Sequence, residues 1–371
     1  MSLSQPNKQL RIIIAGGGTG GHIFPAIAVA QALQVLAPNA AILFVGALGK
    51  MEMEKIPKAG YQIKGITIAG FNRTNYLKNI LLPWKLMRSY FQVKSIFKSF
   101  QPNAAFGVGG YSSFPVLKYA QSKGLPTFIH ESNAFAGKAN KWLAENVTQV
   151  FTGTKGMEIF FPAAKIVVTG NPIRKNITQH TYTKETALKV FGLKPSMKTV
   201  LIVGGSLGAN SINEVIKNNV VTFFEKNIQL IWQIGNANVS GFYRAAQGFE
   251  NIYISTFIDD MSAAYRAADI VISRSGAMAV AEISITGKAC IFVPYPFAAE
   301  DHQTFNAMAL VNQEAALIVK DNEVNEKLVA TLLSVLNDEP AIKNMEEKVK
   351  TFSFTEADKH IAEEILKNSQ L

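Results

Sequence analysis

Apolar residues fall along this chain in short runs. Most runs end at a glycine or a polar break, and many lead into a stretch of helical periodicity. Runs at 10–15, 41–45, 63–68, 104–108, 127–129, 149–151 and 166–168 read as strands. Unbroken apolar runs suit strands buried on both faces, and strands alternating with helices predict a parallel sheet covered on both sides. At Gly170-Asn171-Pro172 both periodicities stop, and the next regular pattern starts near Thr183. A second series then predicts strands at 199–203, 229–234, 252–255, 270–273 and 289–293. The pattern therefore predicts an α/β protein with two doubly wound domains, residues 1–170 and 171–350. A helix within 351–371 carries the stripe Ala357, Ile361, Ile365 and Leu366, a face that could pack on either domain, with the first expected.

Each domain opens in the same way. The first strand runs into Gly16-Gly17-Gly18-Thr19-Gly20-Gly21-His22, and the first strand of the second series runs into Gly204-Gly205-Ser206-Leu207-Gly208-Ala209. A glycine loop between strand and helix lets backbone N–H groups approach an anion, and the helix start adds a favourable dipole. No Gly-Lys-Ser/Thr follows the first loop, which excludes a Walker site. The second strand ends Gly46-Ala47-Leu48-Gly49-Lys50, without the acid that would hold a dinucleotide ribose. Ligands on doubly wound sheets bind beyond the carboxyl ends of the strands, so two facing domains would put both loops on one cleft.

Other strand ends carry polar chemistry. Gly109-Gly110-Tyr111 repeats the loop geometry, with close strand–helix packing as the alternative. His130-Glu131-Ser132-Asn133 places an acid and an amide where substrates bind, or else caps the following helix. Arg274-Ser275-Gly276 turns into a helix holding Ala277, Met278, Ala279, Val280, Ala281 and Glu282; Glu282 could accept the hydroxyls of a ribose or lie on an ordinary helix face. Arg174 suits a diphosphate through its planar fork. There is no His-Glu-x-x-His and no Asp-x-Asp, so no metal site and no cofactor are expected.

Charge adds a partner. The net charge of +10 is uneven: residues 1–172 hold 18 Lys/Arg against 5 Glu and no Asp, and no acid lies between Lys55 and His130. A basic half should meet something anionic. Within it, Leu77, Lys78, Ile80, Leu81, Leu82, Trp84, Lys85 and Arg88 interleave apolar and basic side chains, as at an anionic membrane surface; core packing with solvated lysines is the alternative. No nucleic-acid motif appears. A single cysteine, Cys290, argues for a reducing compartment. Residues 2–8 do not resemble a signal peptide, and no apolar run is long enough to span a bilayer.

Taken together, Gly17 to His22, Gly109-Gly110-Tyr111, His130 to Asn133, Gly170-Asn171-Pro172-Ile173-Arg174, Gly204 to Ala209, Phe257-Ile258-Asp259-Asp260-Met261 and Arg274-Ser275-Gly276-Ala277 resemble the MurG family of bacterial glycosyltransferases, over nearly the whole chain. The resemblance implies two Rossmann-like domains facing a cleft, the GT-B fold. It implies metal-independent transfer of N-acetylglucosamine from UDP-N-acetylglucosamine, with inversion, to the 4-hydroxyl of lipid I. The product would be lipid II, made at the cytoplasmic face of the inner membrane with other cell-wall synthesis proteins as possible partners. It carries donor contacts to Thr19, Gly20, Gly21, Asn133, Arg174, Ser206, Ile258, Ala277 to Glu282, and Gln303. Ile258 would meet the uracil, Glu282 the ribose and Gln303 a sugar hydroxyl. Gly18, Gly109, Gly110 and Tyr111 would hold the acceptor diphosphate. His22 is the expected general base, because an imidazole titrates near pH ~6.5; Glu131 is the reserve. Where some members carry Gln-Gln, this chain has His302-Gln303. A 2-epimerase-like UDP-sugar enzyme and a non-catalytic membrane-surface subunit are the alternatives.

Overall fold

The computed structural model describes residues 9–69, 82–173, 177, 181–205 and 207–369. The chain forms two compact units, Met1–Arg174 with Glu356–Leu371, and Lys175–Thr355. The divisions thus fall a few residues beyond the expected 170 and 350.

The first unit is built on seven strands: β1 (Arg11–Ala15), β2 (Ala41–Ala47), β3 (Gln62–Ile66), β4 (Ala104–Gly107), β5 (Thr127–Glu131), β6 (Gln149–Thr152) and β7 (Ile166–Val168). They pair in the order β3-β2-β1-β4-β5-β6-β7, every pair parallel. Its helices include α1 (Gly20–Leu36), α2 (Glu52–Lys58), α3 (Leu82–Phe100), α4 (Ser113–Ser122) and α5 (Lys138–Ala144). The pleat divides the strand side chains between two layers. Ile12, Ile14 and Phe44 pack with Ile23, Val29 and Leu33 of α1, while Ile13, Leu43 and Val45 pack with Val93 and Phe97 of α3 and Val116 of α4.

Helix α1 is apolar nearly all round because it is covered twice. Ile361, Ala362 and Ile365 of the helix Ala357–Asn368 join the cluster that α1 makes with the sheet. That helix is also tied to β6, where Gln149 Nε2 donates to Glu364 Oε2 at 2.8 Å.

The second unit holds β8 (Lys198–Val203), β9 (Ile228–Gln233), β10 (Ile252–Ser255), β11 (Ile270–Ser273), β12 (Cys290–Phe292) and β13 (Leu317–Ile318), all parallel, in the order β10-β9-β8-β11-β12-β13. The edge strand β13 went unexpected, since two residues are too few to show a period. Trp232 is fully buried at the centre of this core, its indole N–H donating to Asn213 Oδ1 at 2.9 Å.

Both sheets reverse their winding once. In the first, β1 lies between β2 and β4; in the second, β8 lies between β9 and β11. Such a switch point opens a crevice beyond the strand ends. The loops after β1 and β4 border the first crevice, and those after β8 and β11 border the second.

Candidate active-site loops in the two units

In the first unit the loop after β1 seats His22 on the opening turn of α1. Its Nδ1 lies 3.1 Å from the Gly17 carbonyl and 3.4 Å from Thr19 Oγ1. A carbonyl only accepts, so Nδ1 carries the hydrogen toward Gly17 and Nε2 carries the lone pair. The loop after β4 closes on the same ring. A Cβ at Gly109 would stand 3.0 Å from His22 Nε2, and one at Gly110 would stand 2.8 Å from the Gly17 oxygen. The two glycines therefore clear the seat of the imidazole, and their φ values of +92° and +78° suit glycine besides. Tyr111 lies beside Gly18; burial raises its hydroxyl above the ordinary value, and the Glu52 charge adds to this.

Glu52 was missed in the sequence. It is fully buried under the glycine loop, with Oε2 accepting from Gly18 N–H at 2.9 Å and Oε1 from Ala47 N–H at 3.0 Å. Gly18 was expected to offer its amide to a diphosphate; here that amide faces inward to Glu52, and the Gly16 amide donates to Val45. An acid in the first turn of a short helix reads as a dipole partner, and only the glycines at 17 and 46 hinted at something bulky behind them. A Cβ at either would collide with the Glu52 side chain, at 2.3 Å and 2.5 Å.

Glu131 is 4% exposed at the end of β5. Its Oε1 accepts from the Asn133 backbone and side chain, and its Oε2 from the Gly137 N–H and from Asn140 Nδ2 at 2.9 Å. Gly137 is the N-cap of α5, so the carboxylate fastens the turn into that helix. His130 beside it is fully buried: Nε2 donates to the Gly170 carbonyl and Ser132 Oγ donates to Nδ1. Burial lowers this imidazole to about 4, against the Gly170 hydrogen bond, with a smaller push from His22 in the same direction as burial.

In the second unit a cavity of about 450 Å³ opens at the switch point, bordered by Gly204, Gly205, Gly276, Ala279, Tyr295 and Gln303. Gly276 is the extended N-cap of the helix Ala277–Thr286, so that helix start borders the cavity. Fully buried Ser275 joins two helix starts: its Oγ donates to the Gln303 carbonyl, and its own carbonyl accepts from Asn306 Nδ2. Gln303 Oε1 accepts from Tyr295 N–H at 3.0 Å. Glu282 Oε2 accepts from the buried Tyr265 hydroxyl at 3.1 Å. Arg274 also borders the cavity but is engaged by Asp321, Ser211 and the carbonyls of Val293 and Pro294.

Ile258 is 2% exposed, so its backbone rather than its side chain is what a ligand could meet. Its N–H donates to Gln233 Oε1 at 3.0 Å, while Gln233 Nε2 donates to the Gly205 carbonyl at 3.0 Å. Gln233, a polar residue ending a fully buried strand, thus sets the glycine loop against the Ile258 turn; it too was missed.

Arg174, Ser206, Leu77, Lys78, Ile80 and Leu81 lie outside the described residues, as does the side chain of Leu82. Of the expected surface patch, Trp84, Lys85 and Arg88 are described on α3. Met87 and Phe91 join Trp84 at spacings of three and four, which puts the three on one stripe. Trp84 and Phe91 are 61% and 60% exposed.

Two family models match the chain: the glycosyltransferase family 28 N-terminal domain over residues 12–152 and the glycosyltransferase family 28 C-terminal domain over 199–361. A UDP-N-acetylglucosamine–N-acetylmuramyl-(pentapeptide) pyrophosphoryl-undecaprenol N-acetylglucosamine transferase from Bacteroides thetaiotaomicron is 48% identical, over 97% of this chain and 98% of its own length. One of the same name from Cytophaga hutchinsonii is 44% identical over 96% of each chain. The crystal structure of Acinetobacter baumannii MurG superposes with a TM-score of 0.78 at 29% identity, covering 96% of this chain and 99% of that one. Two parallel α/β sheets, both domain matches and relatives of one kind along the full length agree: this chain belongs to glycosyltransferase family 28 and has the GT-B fold.

Proposed function

We propose that this protein transfers N-acetylglucosamine from UDP-N-acetylglucosamine to lipid I, the undecaprenyl-diphosphate-linked N-acetylmuramoyl pentapeptide, forming lipid II for peptidoglycan. The observation that carries this reading is that one chain, similar over 97% of its length to a transferase of that name, holds two switch-point crevices, each bordered by a glycine loop. The crevice of the second unit takes the donor. The start of the helix Ala277–Thr286 meets the diphosphate with its dipole and the amides of its first turn, Met278 and Ala279 included; the Val280 N–H donates to the Gly276 carbonyl within the helix, so Val280 and Ala281 contribute by position and not by their amides. Glu282 accepts from the ribose hydroxyls, the Ile258 backbone meets the uracil, and Gln303 reads a sugar hydroxyl. Thr19, Gly20, Gly21 and Asn133 of the first unit contribute to the donor, together with Arg174 and Ser206. Gly109, Gly110 and Tyr111 hold the acceptor diphosphate.

The chemistry is one in-line displacement with inversion. His22 Nε2 takes the proton of the muramoyl 4-hydroxyl as its oxygen attacks the anomeric carbon, and UDP leaves. His22 is preferred to Glu131 because all of the hydrogen bonds that Glu131 makes above fasten its own loop and helix. Helix starts and Arg174, rather than a metal held by an Asp-x-Asp pair, stabilise the leaving diphosphate. The stripe Trp84, Met87 and Phe91, flanked by Lys85 and Arg88, docks the protein on the anionic cytoplasmic face of the inner membrane, where a polyprenyl-linked acceptor is found. No helix among the described residues is long and apolar enough to cross a membrane. The test is incubation with UDP-N-acetylglucosamine and a lipid I analogue, with and without EDTA. A β-linked disaccharide and UDP in both arms are expected. Failure of transfer sinks the reading, and loss of transfer in EDTA with recovery on Mg²⁺ sinks the metal-free part.

A further inference from the structure

Glu52 and His22 address the same peptide group from opposite ends. The N–H of the Gly17–Gly18 peptide donates to Glu52 Oε2 at 2.9 Å. Its C=O lies 3.1 Å from His22 Nδ1. Burying a carboxylate is costly unless hydrogen bonds compensate, and here two amides do so. The chain also makes room for this arrangement. Gly17 and Gly46 have no side chain where Glu52 lies, and Gly109 has none where the His22 ring lies.

We propose that Glu52 is a positioning residue for the transfer reaction, acting on His22 through the Gly17–Gly18 peptide. The inference rests on the reading of His22 as the general base. A carboxylate at the N–H end polarises the peptide and makes the Gly17 oxygen a stronger acceptor. That oxygen favours the Nδ1–H tautomer, in which the basic lone pair sits on Nε2, the atom that takes the proton of the acceptor hydroxyl. When Nε2 takes the proton, the positive charge formed on the ring is stabilised through Nδ1–H, the peptide and the carboxylate in series. The arrangement does the work of a carboxylate–histidine pair, with one peptide inserted between the partners. Among the described residues, Tyr111 is electrostatically coupled to Glu52 and His130 to His22, and His130 is held neutral by burial.

The test compares the pH–rate profiles of the wild type, Glu52→Gln and His22→Gln with UDP-N-acetylglucosamine and a lipid I analogue. Glu52→Gln keeps the outline but removes the charge and one of the two oxygen acceptors, with the amide oxygen left to one of the two N–H groups. It should lower kcat by about tenfold, a part of what general-base catalysis supplies. It should also move the acid limb of the profile down by roughly 0.5–1 pH unit, with the donor KM unchanged. His22→Gln should remove the limb. If His22→Gln removes the limb and Glu52→Gln leaves it at the wild-type pH, the base stands and the relay is overturned. If the limb survives in His22→Gln, the base assignment fails and the relay falls with it. A measurement on the wild type does not depend on either variant folding: long-range ¹H–¹⁵N spectra of the His22 ring should show the neutral form protonated at Nδ1. Protonation at Nε2 overturns the proposal.

Discussion

Histidines 22 and 130 show how place divides the work of one side chain. His22 is part-buried on a helix start, with loops folded round it; His130 is sealed and neutral. His22→Ala is expected to lower kcat by about 10²–10⁴ with little change in donor KM, because a base acts on the moving proton. Steady-state kinetics at saturating acceptor decide this, and a loss confined to KM would make His22 a binding residue. Glu282→Ala should act the other way, raising the donor KM about ten- to a hundredfold through loss of a charge-assisted contact of roughly 1.5–3 kcal/mol. Titration of UDP-N-acetylglucosamine into the folded variant reads it directly; unchanged affinity removes Glu282 from the ribose. His130 is expected to affect stability rather than rate. Its folded value of about 4 lies below the unfolded ~6.5, so between these the unfolded chain binds more protons. Stability from this residue is complete above ~6.5 and is lost as pH falls toward 4, by about 3 kcal/mol in all. Urea unfolding from pH 7.5 to 4.5 should therefore be steeper in pH for the wild type than for His130→Gln, and equal slopes would contradict it.

Among the elements, α3 makes the most direct claim. Its stripe of Trp84, Met87 and Phe91 shows large apolar side chains to solvent, with Lys85 and Arg88 alongside. Each cation near an anionic leaflet contributes about 1 kcal/mol, so reversing Lys85 and Arg88 to Glu should weaken vesicle binding by at least about thirtyfold. UDP binding should persist, because the crevice proposed for the donor belongs to the other unit. Co-sedimentation of the double variant at the wild-type level would dismiss this face. Elements of this kind differ in how plainly they are written in the chain. Twelve strands were legible, most of them because a strand buried on both faces is a continuous apolar run between breaks; the half-exposed β3, with Gln62 and Lys64, shows instead an alternation of polar and apolar positions. β13 was not, since its two residues depend on pairing with Ile291 and Phe292. Glycine loops were legible as loops, but the direction of their amides was not. In the first loop the Gly18 amide is turned inward by Glu52, whose sequence context is that of any acid in a first helical turn. Gln233 was hidden likewise, because its value lies in the two loops it joins. Met87 and Phe91 follow the spacing that Trp84 begins and could have been read.

For the whole molecule, the telling feature is that the chain returns to its first unit. Residues Glu356–Leu371 belong to the same compact unit as Met1–Arg174. Ile361 and Ile365 are fully buried there, and burying two such side chains contributes roughly 3–6 kcal/mol. A chain ending at Thr355 should therefore show a lower Tm for the first unit and an unchanged Tm for the second. Calorimetry on the truncated protein tests this, and two unshifted transitions would mean that the helix is dispensable. The same return also constrains the order of events on the ribosome. When residue 174 has emerged, every strand of the first sheet exists, yet the outer side of α1 still lacks its cover. The cover arrives only after the intervening unit, Lys175–Thr355, has been made, about 10–40 s later at ordinary elongation rates. During that interval the nascent protein carries an apolar strip that chaperones or a neighbouring nascent chain can bind, and the unit that holds residues 1–174 waits for its cover until the unit made after it has emerged.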